Sequence, residues 1–500
     1  MDDSKTSAWK IALGTFNALV IILSFAFIAL DLFIIFSRLS YPYQLEWMEG
    51  AGLVQVSRIL AGKVLYVPPS IDFVPLIYPP IFFYASALLA KIVGLGFGAL
   101  RLVSFLSSAL CAVIIFLAVK EKTNSKFAAF LGAGIFASTF MLTGQWFDIA
   151  RTDMLTAALS MLGIYLARET KENIVAILFS GIVFALAFLS KQSALIVGIA
   201  AILYNLLFNW RRAISLTLSL VLSFAILYGI FWFSSAGWIN YYLFTIPAAH
   251  AFDFSIGRIV SVIISQFESI PVFLIIGLIP IIVSPRKIFN DKLYRYYIVM
   301  AFALIATGVV GRLNAFSGPN VYIPSYLGIA LLAGLEAGWL IELKVRPALI
   351  LLEWILLAAQ FGILIPAYFQ TKTIPTQQDR AAGDALVARI KSYSDNVLLL
   401  DNNYLALYAN KTPYFNEMPM SEISGQGNLY PMPQWKMLQP QINSLIDAPT
   451  TDAVIVDFTL PIKPMISNCR QQPIAYADKI VFEPVAGPPD SRPSLIITCK

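Results

Sequence analysis

Histidine occurs once in the 500 residues, as His250, and cysteine three times. A single histidine excludes His-rich metal sites and makes a Ser-His-Asp arrangement a poor fit. No two cysteines form a C-x-x-C pair, so neither a thiolate metal site nor a dithiol redox motif is supported. Charge is scarce too. Asp, Glu, Lys and Arg make up 13% of the chain, where a soluble domain carries about 25%. Hydrophobic residues reach 58% and mean hydropathy is +0.74, which rules out a single water-soluble globule and a disordered chain. Net charge is +6, and its basic residues lie in short connectors between apolar runs. Nucleic-acid binding would need them gathered on one face, so no nucleic acid is expected as partner. What remains is a many-pass membrane bundle with a smaller appended part.

The run Ile11–Phe36 is almost continuously apolar. It is too long for a secretory signal and lacks a small-residue cleavage site, so it reads as an uncleaved first span. Ten later runs have spanning character: Leu102–Val119, Phe127–Gln145, Met154–Ala167, Ile174–Leu189, Ser193–Phe208, Ile214–Phe233, Ile259–Ser284, Tyr296–Val310, Val321–Ile341 and Pro347–Phe369. The segment Pro79–Val93 is shorter, begins Pro-Pro and carries Lys91. Cytoplasmic loops carry the excess Lys and Arg. If Pro79–Val93 lies in the interface, Lys5, Lys10 and the connectors Lys120–Lys126, Arg168–Asn173, Asn209–Arg212, Pro285–Arg295 and Glu342–Arg346 all fall on one side. If it crosses, the N-terminus and these connectors separate. The expected fold is therefore an α-helical polytopic membrane protein of about eleven spans. Its N-terminus is cytoplasmic, and an interfacial helix lies in the first outside loop. A twelfth span or a re-entrant pair is the alternative. The expected location is the plasma membrane.

Composition changes near Gln370, where Pro, Asn, Asp and Gln become frequent. The expected division is a transmembrane domain over 1–369, with its first outside loop at 37–100, and a small extracytoplasmic α/β domain over 370–500. Thr376–Tyr393 has the spacing of an amphipathic helix, and Tyr404–Ala409 is helix-like. Val397–Leu400, Ala453–Val456 and Leu495–Thr498 read as strands. Tyr414–Trp435, rich in Pro, Gly, Met and aromatics, reads as a long surface loop. Cys469 and Cys499 would lie on the oxidising side, where a disulfide between them is open. Cys111 sits mid-span and reads as packing.

Ionisable groups at membrane depth are costly, and function is the default reading for them. Glu46, Glu49, Asp148, Arg151, Asp153, Lys191, His250 and Arg312 all fall at the outer face in this topology, as a cleft would place them. Glu46 and Glu49 are three apart, so a helix would show both on one side. A partly dry carboxylate there can take a proton from an attacking hydroxyl. The bland alternative is a loop carboxylate paired with Arg38 or Arg58. Asp148, Arg151 and Asp153 crowd the entrance of the fourth span, where Arg favours carboxylate or phosphate partners. A helix-capping internal ion pair is the structural alternative. Lys191 and Arg312, with Asn320 close by, could hold a lipid phosphate or merely snorkel. His250 follows Pro247-Ala248-Ala249 and is more simply a solvated loop residue.

Several stretches in order resemble the integral-membrane GT-C glycosyltransferases, in the branch of protein O-mannosyltransferases and aminoarabinose transferases. They are Glu49-Gly50, Leu60-Ala61-Gly62-Lys63-Val64-Leu65-Tyr66, Tyr78-Pro79-Pro80-Ile81-Phe82-Phe83-Tyr84, Arg101-Leu102, Ala150-Arg151-Thr152-Asp153-Met154-Leu155 and Ala187-Phe188-Leu189-Ser190-Lys191. The likeness is good over about residues 10–200, weaker over 300–340 and does not cover the tail. It implies a polyprenyl-phosphate sugar donor, a glycan, lipid or protein acceptor, and inversion at the anomeric carbon. It also implies an acidic base in the first outside loop and basic residues on the leaving phosphate. Glu49 is then expected as the base, with Glu46 or Asp153 in support and Arg151, Lys191 and Arg312 on the phosphate. Asp148, Tyr78, Arg101, His250 and Asn320 are further cleft candidates. Replacing Glu49 with Gln is expected to abolish transfer and leave the protein folded. The chain departs from the family pattern at Met48, where an acidic neighbour is common, and at Tyr78, where Lys or His can stand. No cofactor or metal is expected, although paired carboxylates could hold a divalent ion. A secondary transporter or lipid-linked sugar flippase is the competing reading. Asp31, inside the first span, favours it; the lack of an internal repeat and the one-sided polar groups do not.

Overall fold

The computed structural model describes residues 3–168, 173–343, 346–394, 396–425, 428–448, 450–456, 469–488 and 491–498. Helix α1 (Asp3–Arg38) leads into α2 (Glu49–Leu60), α3 (Ile81–Val93), α4 (Phe97–Thr123) and α5 (Lys126–Ser138). Next come α6 (Thr152–Ala167), α7 (Ile174–Phe188), α8 (Leu195–Phe208) and α9 (Trp210–Ser234). Among the described residues, six helices are long and apolar enough to cross a membrane, or seven if one bent pair counts as a span. They are Ile11–Arg38, Phe97–Thr123, Trp210–Ser234, Lys292–Arg312, Pro319–Glu342 and Pro347–Gln370, with shorter apolar helices at Ile81–Val93, Lys126–Ser138, Thr152–Ala167, Ile174–Phe188 and Gln192–Phe208. On α9, Leu218, Leu222, Ile226 and Ile230 are all exposed. A face this apolar suits hydrocarbon rather than water.

Two expected spans differ in shape. Phe127–Gln145 is helical only to Ser138. There the hydroxyls of Ser138, Thr139 and Thr143 bond back to the carbonyls of Ile135, Phe136 and Phe140. Side-chain bonds of this kind compete with the helix ladder. Gly144 and Gln145, both at positive φ, then reverse the chain. Ile259–Ser284 is a broken pair, Ile256–Phe267 and Pro271–Val283, bent by 101°. Pro271 cannot donate within a continuing helix. Gln360 takes up groups freed at the break, accepting from Val272 N at 3.2 Å and donating to Ser269 O at 2.9 Å.

The tail folds as anticipated in outline. Thr376 and Asp379 form a reciprocal cap at the start of helix Gln377–Ser392. The sheet has the order β1-β2-β4-β3, from β1 (Asn396–Leu399), β2 (Thr451–Val456), β3 (Arg470–Pro473) and β4 (Leu495–Thr498). β1 pairs parallel with β2, and the other pairings are antiparallel. Strand β3 is exposed along its length and polar, so no apolar alternation announced it. Tyr414–Trp435 is not simply a surface loop. Helix Glu417–Ser424 begins at the Asn416 cap and buries Met418, Met420 and Ile423. Cys469 is disulfide-bonded and Cys111 is free and buried, while Cys499 lies outside the described residues.

One hydrophobic core fills the bundle. A second is shared between the loop after α1, α2, the start of α4 and the tail. Tail and loop meet closely: a Cβ on Gly50 of α2 would lie 2.3 Å from the Tyr404 ring. Only a residue without a side chain permits that approach.

Candidate active site

Two buried ion pairs fix the floor of the site. Arg38, at the end of α1, grips Asp148 through two hydrogen bonds and also donates to Gln145 Oε1, Gln145 O and Thr373 O. Arg101, in the first turns of α4, donates to both oxygens of Glu49, at 3.1 and 2.7 Å, and to the carbonyls of Arg38, Tyr41 and Tyr43. Glu49 Oε2 also accepts from Leu45 N, and Oε1 from Ala150 N at 2.7 Å. Arg38, Asp148, Arg101 and Glu49 are fully buried. With every guanidinium fork matched to an acceptor, these pairs pin the reversed stretch 139–151 against the first loop.

On this floor stands a second, more open set. Arg151, in extended backbone just before α6, donates through Nη1 to Glu46 Oε2 at 2.9 Å and through Nη2 to the Tyr78 hydroxyl at 2.7 Å. Its guanidinium carbon lies 5.2 Å from the centre of the Tyr78 ring and 5.6 Å from that of the Trp146 ring. Asp153, in the first turn of α6, accepts from Lys191 Nζ at 2.6 Å, Asn320 Nδ2 at 3.0 Å and Trp146 Nε1 at 3.0 Å. Tyr78 and Lys191 come together because Ile81 N, at the start of α3, donates to Leu189 O at the end of α7. Lys191 keeps about a fifth of its side chain exposed, at 21%.

Glu46 differs from its neighbours. It is fully buried, and Oε2 takes Arg151 and Met48 N, yet Oε1 has no hydrogen-bond partner. Burial pushes its carboxyl up to about 7, against the pull of Arg151. A carboxyl so placed exchanges a proton near neutrality, and its free oxygen can accept one.

Of the residues expected from sequence, Glu46, Tyr78, Arg151, Asp153, Lys191 and Asn320 thus form one connected cluster. Glu49, Arg101 and Asp148 lie in the floor. Arg312 turns to its own loop, donating to the carbonyl and hydroxyl of Ser317. His250 pairs with Glu422 of the tail at 2.9 Å and meets Asn314 through its other ring nitrogen. The partners of these last two, among the described residues, are not members of the cluster.

Residues 78–238 match the profile of the dolichyl-phosphate-mannose-protein mannosyltransferase family. The fold matches ArnT from Cupriavidus metallidurans bound to undecaprenyl phosphate, with TM-score 0.63 and 12% identity over 94% of this chain and 97% of that one. The chain has the fold of this ArnT. The apo form of the same ArnT gives TM-score 0.61 at 13% identity, with the same coverage. The oligosaccharyltransferase AglB from Archaeoglobus fulgidus, in complex with an inhibitory peptide and a dolichol-phosphate, gives 0.50 at 12% identity over 88% of this chain and 69% of that one. No curated protein matches the sequence.

The family match spans Tyr78, Arg151, Asp153 and Lys191 and stops short of Glu46. Trp146, Gln145 and Arg38 were not anticipated as parts of the site. Trp146 had a legible signal: an indole a few residues before Arg151 and Asp153 offers them both a ring and a donor.

Proposed function

We propose that the chain transfers a sugar from a polyprenyl-phosphate donor to an acceptor hydroxyl on the extracytoplasmic side, with inversion, and that Glu46 is the base. The observation that carries this reading is the Glu46 carboxylate, buried, with one oxygen on Arg151 and the other unpartnered. Family and fold supply the reaction class: the matched family is named for a dolichyl-phosphate-linked donor, and two matched structures hold a polyprenyl or dolichol phosphate. Sequence alone points to Glu49 as the base. The geometry favours Glu46, because both Glu49 oxygens are already committed to Arg101 and backbone N–H groups.

The acceptor O–H gives its proton to Glu46 Oε1 as its oxygen bonds to the anomeric carbon. The bond from that carbon to the phosphate oxygen breaks, and its electron pair leaves with the polyprenyl phosphate. Arg151 and Lys191 face the charge that grows there. As Glu46 becomes neutral, Arg151 loses its counter-charge just when the phosphate gains one. Proton uptake therefore strengthens the grip on the leaving group. Lys191, already partly exposed, is the cation the phosphate meets first. Since these cations supply the electrostatic stabilisation, the proposal includes no divalent ion. Topologically it includes eleven spans, a cytoplasmic N-terminus and an outside tail, supported by the Lys and Arg distribution.

The test is transfer of radiolabelled sugar from a polyprenyl-phosphate donor by purified protein. A new glycosidic bond, lost in Glu46→Gln, supports the reading. Movement of substrate across sealed vesicles without bond formation would replace it with transport.

A further inference from the structure

The unpartnered oxygen of Glu46 faces a segment of the tail. Ala486 N donates to Leu45 O at 2.9 Å, and Glu46 and Ala486 pair as a short parallel bridge. Gln145 Nε2 holds the same segment by donating to Val485 O at 3.0 Å, and it also donates to Lys372 O at 3.2 Å. Further back, Phe482 N donates to Asp379 Oδ1 and Lys372 Nζ to Ile480 O. Residues 485–487 therefore run as a strap across the first loop beside the carboxylate. Gly487 sits at φ +90°, and a Cβ added there would lie 3.0 Å from Trp47 Cδ1, 3.3 Å from Glu46 Cγ and 3.6 Å from Glu46 Oε1. The next wall beyond the base is thus a glycine.

We propose that this strap is the acceptor-side wall of the site, and that Gly487 is a positioning residue which leaves room for the acceptor hydroxyl beside Glu46 Oε1. The inference rests on the reading of Glu46 as base. Oε1 is buried without a protein partner and Gly487 stands beside it, so the strap must shift to admit the hydroxyl and return to exclude water. The ligand class is any acceptor presenting a hydroxyl on a narrow stem, whether sugar, lipid or protein. Bulk at residue 487 would penalise it; the donor, held by Arg151 and Lys191, would not feel that bulk.

The test compares full-length wild type, Gly487→Ala and Ala486→Pro in the sugar-transfer assay, with acceptor and donor varied separately across pH. Gly487→Ala is expected to lower kcat/KM for the acceptor about tenfold or more and leave the donor KM within about twofold. It should move the acid limb of the rate profile upward, because the added methyl displaces the carboxylate and dries it further. Ala486→Pro removes the N–H given to Leu45 O without filling the space beside Glu46. It should move the limb downward, as water reaches Oε1. Unchanged acceptor kinetics in Gly487→Ala overturns the proposal. So does activity that falls only in proportion to folded protein, with the limb fixed in both variants. Should Gly487→Ala fail to fold, the limb of Ala486→Pro decides alone. Full activity in Glu46→Gln would remove the reading of the base itself, which distinguishes the two failures.

Discussion

Glu46→Gln separates chemistry from architecture. The amide keeps the size of the side chain and can still accept from Arg151, but it cannot take a proton. Loss of a positioned base commonly costs about 10²- to 10⁴-fold in rate. A second signature follows from burial. The carboxyl stands at about 7 in the fold, raised from an ordinary 4.5. Between those values the folded protein holds a proton that the unfolded chain has released, so wild-type stability falls as pH rises through this window. The gap is worth about 3 kcal/mol. Glutamine has no proton to lose and lacks this slope. Relative to wild type, the variant should be more stable at pH 8 than at pH 4 by that amount. Sugar transfer and thermal unfolding in detergent, each measured across pH, check the two halves. A variant that transfers at the wild-type rate, or one whose unfolding curve stays parallel to wild type at every pH, would refute the reasoning.

The floor pairs should respond differently. Glu49→Gln or Asp148→Asn leaves a buried guanidinium short of its counter-charge, and each should cost about 3–5 kcal/mol. Folded yield should drop and wild-type kinetics should persist in whatever folds; a well-folded, inactive Glu49→Gln would return the base to Glu49. Lys191→Ala should raise the donor KM by about 10- to 100-fold, as expected for a lost charge-assisted bond, and leave acceptor KM alone. Chelation with EDTA should leave transfer unchanged, and a rate restored only by added Mg²⁺ or Mn²⁺ would refute a metal-free mechanism. Cys469→Ser should destabilise the tail by about 2–5 kcal/mol, read as a lower midpoint or faster proteolysis.

The long helices were legible because apolar runs of that length have few other uses, and the Lys and Arg connectors gave them order. Breaks inside runs were harder. Ser138, Thr139 and Thr143 look like ordinary span residues until their hydroxyls are seen turned to carbonyls. The break before Pro271 depends on Gln360 from another helix. The site was legible as a set of costly charges but not as a division of labour. Glu46 and Glu49 are equivalent in sequence, and their fates differ because Arg101, Leu45 N and Ala150 N arrive at one and Arg151 and Met48 N at the other. Arg38 was visible as a partner for a nearby carboxylate, but its long reach to Asp148 was not. Nothing local tells Gly487 from any other glycine. Its neighbour is Glu46, and contacts over such a separation leave no periodic trace.

The bridge between Glu46 and Ala486 joins segments made near the start and late in synthesis. A chain emerging from the ribosome would thus place its first helices and Glu46 long before the segment that covers this carboxyl exists. On the proposed roles of Glu46 and the strap, a chain stopped before residue 485 would leave that carboxyl open to water.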